Sequence, residues 1–272
     1  MLFAIPYPVI NPVLIHIGPL PIRWYALAYI AGLILGWLYA RALAGRESLW
    51  NGAPHPTVQS LDDLLVYCAL GVVFGGRLGY VLFYNFSFYA AHPAEIPAVW
   101  QGGMSFHGGL AGAALGIYLF ARRYQVPVVS VFDIGCAVVP IGLFLGRIAN
   151  FIKPELWGRP SDMPWAMVFP EAGPLPRHPS QLYEAGLEGL VLFIVLAIAI
   201  RLGALKRPGV VSGMFGIGYG IARIICEFFR EPDPQLGFLF GNATMGMLLS
   251  LPLIAIGIAV LVFALRRRPQ IA

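Results

Sequence analysis

Seven stretches of the chain stay apolar for long enough to cross a bilayer, over roughly 22–42, 61–83, 104–121, 131–152, 181–201, 209–229 and 244–265. A helix needs ~20 such residues to span the hydrocarbon core. The runs are continuous and do not alternate over ten-residue strands, so they read as helices and not as a β-barrel. No polar segment of domain size interrupts them, which predicts one integral membrane domain over residues 1–272. The expected fold class is all-α and polytopic, with about seven transmembrane helices.

Composition agrees: 58% of the 272 residues are hydrophobic and 11% charged, with mean hydropathy +0.75, whereas soluble domains are ~25% charged. The net charge of +5 would by itself admit a nucleic-acid partner, but the basic residues lie at span ends instead of on one face, so none is expected. Arg41 and Arg46, Arg122 and Arg123, Arg201, Lys206 and Arg207, and Arg266, Arg267 and Arg268 follow alternate spans. The positive-inside rule makes theirs the cytoplasmic side. The N-terminus is then outside, the C-terminus inside, and the connections 84–103, 153–180 and 230–243 lie on the outer face. The N-terminal segment has no basic n-region and is broken by Pro6, Pro8, Pro12, Pro19 and Pro21, so it does not read as a cleaved signal peptide. Cys68, Cys136 and Cys226 fall in apolar runs and read as buried thiols. Gly108, Gly112 and Gly116, and Gly216 and Gly220, recur every four residues, the spacing that lets membrane helices approach closely.

Three arginines change this picture. Arg77, Arg147 and Arg223 fall inside the second, fourth and sixth spans, each near the outer end. An arginine in the membrane costs at least ~2.5–3.5 kcal/mol and needs a partner. The helix dipole and snorkelling would account for each one singly; three in one leaflet ask for more. In RIICEFFR, Arg223, Glu227 and Arg230 share a helical face, so two arginines compete for one carboxylate. Around Arg147 a surplus cation also remains unless Glu155 reaches back. A guanidinium with charge to spare suits a bound phosphate, which points to an anionic phospholipid. In GRIANFIKPELWG, Asn150 lies one turn past Arg147, and Pro154 stops the helix so that Lys153, Glu155 and Trp157 reach the interface.

His107 opens the third span at the same level, flanked by glycines. It reads either as a hydrogen-bonded structural residue or as a base for a thiol or hydroxyl, since imidazoles titrate near neutral pH. Tyr25, at the outer start of the first span, is either part of an aromatic belt or a hydrogen-bond donor to the site. Asp133 lies at the far end of the fourth span, where pairing with a helix N-terminus suffices for it. LPRHPSQLYEAGLEG carries Arg177, His178 and Glu184 into the fifth span, and no role follows for them. Neither HExxH, CxxC nor a nucleotide-binding loop occurs, so no metal and no cofactor is expected.

Taken together, MSFHGG, GGRLGYVLFYN, GRIANFIKPELWG, RHPSQLYE and ARIICEFFREPD resemble ordered blocks of the bacterial prolipoprotein diacylglyceryl transferases over essentially the whole chain. The most specific is GRIANFIKPELWG, against a family pattern Gly-Arg-any-Gly/Ala-Asn-Phe-apolar-Asn-any-Glu, two residues, Gly; Lys153 stands where the pattern has its second asparagine. The resemblance implies transfer of diacylglyceryl from phosphatidylglycerol to the lipobox cysteine of a preprolipoprotein signal peptide, in a setting of membrane lipids at the inner membrane. It implies that Arg147 binds the headgroup, with Tyr25, His107, Asn150, Glu155, Gly158, Arg223, Glu227 and Arg230 in the functional set; Arg77 joins them by position. A transporter of anionic phospholipid would use intramembrane arginines as well, but would distribute charged groups to both faces.

Overall fold

Glycine decides how the helices meet. The computed structural model describes residues 5–232, 237–239 and 241–266. Arg267 and Arg268 of the last basic cluster, Asp233 of ARIICEFFREPD and part of the 230–243 connection lie outside the described residues. Long helices stand where the apolar runs are: α1 (Trp24–Ala44), α2 (Ser60–Phe83), α3 (Phe106–Tyr124), α4 (Val128–Ile152), α5 (Ser180–Arg201), α6 (Val210–Glu227) and α7 (Met245–Arg266). Six of them, all but α3, are long and apolar enough to cross a membrane by length and composition. In α3, four glycines, His107 and the Arg122–Arg123 pair dilute the apolar character. The chain is a polytopic helical membrane protein.

Helices α2 and α3 run antiparallel with their backbones in contact. A Cβ at Gly71, Gly75, Gly108 or Gly112 would fall on the facing main chain, and one at Gly79 would stand 2.8 Å from Gly108 Cα. The α6–α7 pair repeats the device: a Cβ on Gly213 would lie 2.8 Å from the Leu261 nitrogen, and one on Gly257 2.9 Å from the Gly213 oxygen. Without Cβ atoms the helices gain dispersion contacts along their length, which in lipid replaces the hydrophobic driving force.

The apolar core gathers at one end of the bundle, where Trp50, Phe120, Ile134, Leu196, Ile200 and Leu205 are buried. Asp133 lies there, fully buried, accepting from Gly209 N–H at 2.7 Å, Ser212 N–H at 2.8 Å and the Ser212 hydroxyl at 2.7 Å. It therefore caps the free N–H groups that open α6, a neighbouring helix and not its own. The other end, where α4 and α6 finish and α5 and α7 begin, is polar.

Against the all-α expectation, residues 5–23 contain strands. β1 (Ile5–Pro6) pairs in parallel with β4 (Met167–Val168), and β2 (Val13–Ile17) with β3 (Leu20–Arg23) as a hairpin. Closely spaced prolines bar a helix, Val, Leu and Ile suit strands, and Gly18 at φ +58° followed by Pro19 fits a II′-type turn.

Gly112→Ala should drive a methyl into the Gly71 carbonyl and lower the melting temperature in detergent, at about 1–3 kcal/mol for overpacking. Gly135→Ala is the reference: its Cβ meets only Ile117 Cδ1 at 3.9 Å, so its melting temperature should hold or rise.

Candidate active site

Arg147 sits in the last turns of α4 and Arg223 one turn before the end of α6, so two guanidiniums converge from different helices. Between them stand two carboxylates of α5. Arg147 Nε lies 2.7 Å from Glu184 Oε2, and its Nη2 3.4 Å from Glu188 Oε2. Arg223 Nη1 lies 3.3 Å from Glu188 Oε1 and 3.5 Å from Glu184 Oε2, while its Nη2 pairs with Glu227. Glu227 also accepts from the Thr244 hydroxyl at 2.5 Å and lies 3.9 Å from Arg230 Nη1.

The surplus positive charge expected from the sequence is thereby corrected. Three carboxylates, Glu184, Glu188 and Glu227, face three guanidiniums, Arg147, Arg223 and Arg230, and the cluster is neutral. Its polarity is uneven. The Arg147 and Arg223 side chains are 17% and 12% exposed, the three glutamates 1%, 0% and 5%. The carboxylates are the more deeply buried partners and the arginine side chains keep what exposure the cluster has, and Gly146 beside Arg147 faces open space. Glu184 carried no role in the sequence reading and Glu188 was not singled out, because partners were sought close to each arginine along the chain. The signal was present: two acids four residues apart inside LYEAGLEGLVLF cost as much to bury as an arginine and need cations.

The loop after α4 is locked by the same elements. Asn150 Nδ2 donates to Glu155 Oε1 at 2.8 Å, and Lys153 Nζ stands 2.6 Å from Glu155 Oε2, so Glu155 serves these two instead of Arg147. Gln181 donates to the Glu155 carbonyl at 2.7 Å, and the Ser180 hydroxyl to that of Leu156 at 3.0 Å. Gly158 is wedged between two strand-like segments: a Cβ there would lie 2.6 Å from both the His178 and the Phe229 oxygens. Arg159 ties the loop to the end of α6, donating to the Glu227 and Arg230 carbonyls at 2.9 Å each.

Tyr25 packs against Tyr29, the rings tilted with centroids 5.1 Å apart and the hydroxyl oxygens 3.5 Å apart. Tyr25 also lines a cleft of about 660 Å³ with Arg23, Ala149, Lys153 and Glu155. Tyr25 and Glu155 thus share one opening, and Asn150 stands behind Glu155 through its hydrogen bond to Oε1. His107 is not drawn into the ion network. It is exposed, its ring lies edge-on to Phe106 at 5.6 Å, and among the described residues it makes no side-chain hydrogen bond or ion pair.

Arg77 is used elsewhere. Only 3% exposed, it donates from Nε to Ile96 O at 2.6 Å, from Nη1 to Gly102 O at 2.6 Å and Gly103 O at 3.3 Å, and from Nη2 to Glu95 O at 2.8 Å. With Tyr89 against its plane at 5.0 Å, the guanidinium clasps the 84–103 connection and keeps little for a ligand.

His178 borders the loop, with Nδ1 3.1 Å from the Tyr183 hydroxyl and its ring edge-on to Phe229. Burial pulls its imidazole below the ordinary range, against the opposing charge of Asp162. A depressed histidine supplies stability that is complete above the unfolded value of ~6.5 and is lost as pH falls through the folded value. Thermal stability should therefore decline on acidification below about pH 6.5, and His178→Gln should shrink that slope in a melting-temperature series.

Comparison with known proteins bears on what this cluster belongs to. A sequence model of the family described as "Prolipoprotein diacylglyceryl transferase" matches residues 12–263. A protein of Methylocella silvestris is 70% identical over 267 residues, covering 98% of each chain. Relatives from Beijerinckia indica and Rhodopseudomonas palustris are 66% and 61% identical, covering 95% and 97% of this chain and 95% and 93% of their own. All three bear the name phosphatidylglycerol–prolipoprotein diacylglyceryl transferase. With the family model covering nearly the whole length, the chain belongs to the prolipoprotein diacylglyceryl transferase family.

Proposed function

We propose that this protein transfers the diacylglyceryl group of phosphatidylglycerol to the lipobox cysteine of a prolipoprotein. The thiol sulfur attacks the glyceryl carbon that carries the phosphate; the C–S bond forms, the C–O bond breaks, and its electron pair leaves with glycerol phosphate. The observation that carries this reading is the pair of guanidiniums, Arg147 and Arg223, that converge from two helices on more deeply buried carboxylates. Such donors need no reorganisation when negative charge grows on the leaving phosphate, which is the condition for electrostatic stabilisation of a transition state.

Arg147 and Arg223 bind the phosphate, with Arg230 and Glu227 behind Arg223. Glu155 and Tyr25 border the neighbouring cleft and offer hydrogen-bonding groups to ester or glycerol oxygens, with Asn150 holding Glu155 in place, while Gly158 fixes the loop that carries Glu155. Arg77 acts by holding its connection in place. His107, exposed at the start of α3, is the candidate acceptor of the thiol proton. Lysine and arginine at the ends of α1, α3, α5 and α7 support a cytoplasmic placement of that side, which sets the arginine cluster in the outer leaflet of the inner membrane, where an exported lipobox cysteine emerges.

Purified protein incubated with phosphatidylglycerol and a lipobox peptide should yield a diacylglyceryl adduct on cysteine by mass spectrometry. A folded protein that gives no adduct, but moves labelled lipid across proteoliposomes without peptide, would instead establish the transporter. Arg147→Ala should cut adduct formation per folded molecule by at least about a hundred-fold; full activity would remove the phosphate clamp. His107→Gln should lower the rate ~10²-fold or more and flatten its pH profile near neutrality, whereas an unchanged rate and profile would assign His107 to structure.

A further inference from the structure

Glu188 lies in the stretch LPRHPSQLYEAGLEG without being singled out in the sequence, yet it occupies the centre of the ion cluster. It is fully buried, and it is the carboxylate that gives each arginine an oxygen of its own: Oε2 to Arg147 at 3.4 Å and Oε1 to Arg223 at 3.3 Å. Glu184 reaches both arginines through one oxygen, tightly at 2.7 Å and loosely at 3.5 Å; Glu227 engages Arg223 and Arg230 from within α6.

The local backbone is unusual where Glu188 stands. Residues Ala185–Val191 form a π-helical turn inside α5, a conformation rare in helices and frequent at functional sites. Gly189 presses on α4 there, one turn before Arg147: a Cβ on it would lie 2.6 Å from Phe144 Cβ. The widened turn and the missing side chain bring the Glu188 carboxylate between two helices that each carry a like charge. Two guanidiniums so close repel strongly in a dry site, and a carboxylate with one oxygen for each offsets that repulsion.

We infer that Glu188 is a positioning residue for the transfer, its carboxylate bridging Arg147 and Arg223 so that both guanidiniums address the same phosphate. The inference rests on the transferase reading above. Its consequence is a split between rate and affinity. Glu188→Gln keeps the shape but leaves one net positive charge, which favours binding of an anionic lipid while the unbridged arginines drift apart.

The test uses the full-length protein with phosphatidylglycerol vesicles and a lipobox peptide. In Glu188→Gln, kcat should fall about ten- to hundred-fold while KM for phosphatidylglycerol stays level or drops. Glu188→Asp, which retains the charge but is too short to reach both arginines, should not rescue kcat. In an Arg223→Lys background, Glu188→Gln should cost little beyond the Arg223→Lys loss, since the bridge is already broken. Wild-type kcat in either Glu188 single variant overturns the inference, and the Asp variant decides alone if the Gln variant fails to fold. Absence of adduct from the unaltered protein would sink the transferase reading instead, so the two failures are distinguishable.

Discussion

Burying charge in a membrane protein is tolerable only when the opposite charge is buried with it, and the polar end of this bundle is organised around that constraint. Arg147 of α4, Arg223 of α6 and the Glu184–Glu188 pair of α5 cannot be desolvated separately; each makes the others affordable. Three helices are thereby pinned at one level. The loop after α4 inherits its position from them, because Gln181 and Ser180, at the start of α5, hold the carbonyls of Glu155 and Leu156. The accessible face of the cluster is cationic not because cations outnumber anions, but because the anions stand behind them.

Helix α4 is fixed at both ends by charge. At the end packed with apolar side chains, Asp133 caps the start of α6; at the other, Arg147 meets carboxylates that also hold Arg223. A shift of α4 along its axis would break both contacts, so the placement of Arg147 is set by contacts at both ends of a 25-residue helix. Close glycine packing of α2 on α3 and of α6 on α7 fixes the remaining pairs with little side-chain freedom.

Much of this was legible in the sequence. Apolar run length located all the long helices, and glycines four residues apart marked close packing on α3 and α6; the same spacing of Gly71, Gly75 and Gly79 on α2 went unread, and Gly257 on α7 has no glycine four residues away. Arg147, Arg223, Glu227 and Arg230 were singled out correctly as a charged group that needed partners. What failed was the assumption that partners lie nearby in the chain: Glu184 and Glu188 are 37 and 41 residues from Arg147 along the sequence, and only tertiary packing unites them. Arg77 looked equivalent to the other two because span position reports depth, not direction; its guanidinium turns to the carbonyls of the 84–103 connection. The N-terminal hairpin was hidden by its prolines, which exclude a helix without announcing a strand.

The neutrality of the cluster also bears on turnover. Glycerol phosphate leaves with more negative charge than the diester had when it arrived, and a pocket of uncompensated guanidiniums would grip the product harder than the substrate. If the arginines hold the phosphate as proposed, the carboxylates behind them weaken that grip without moving the donors. The same buried glutamates that let the arginines exist in the membrane would therefore keep the enzyme from being poisoned by what it releases.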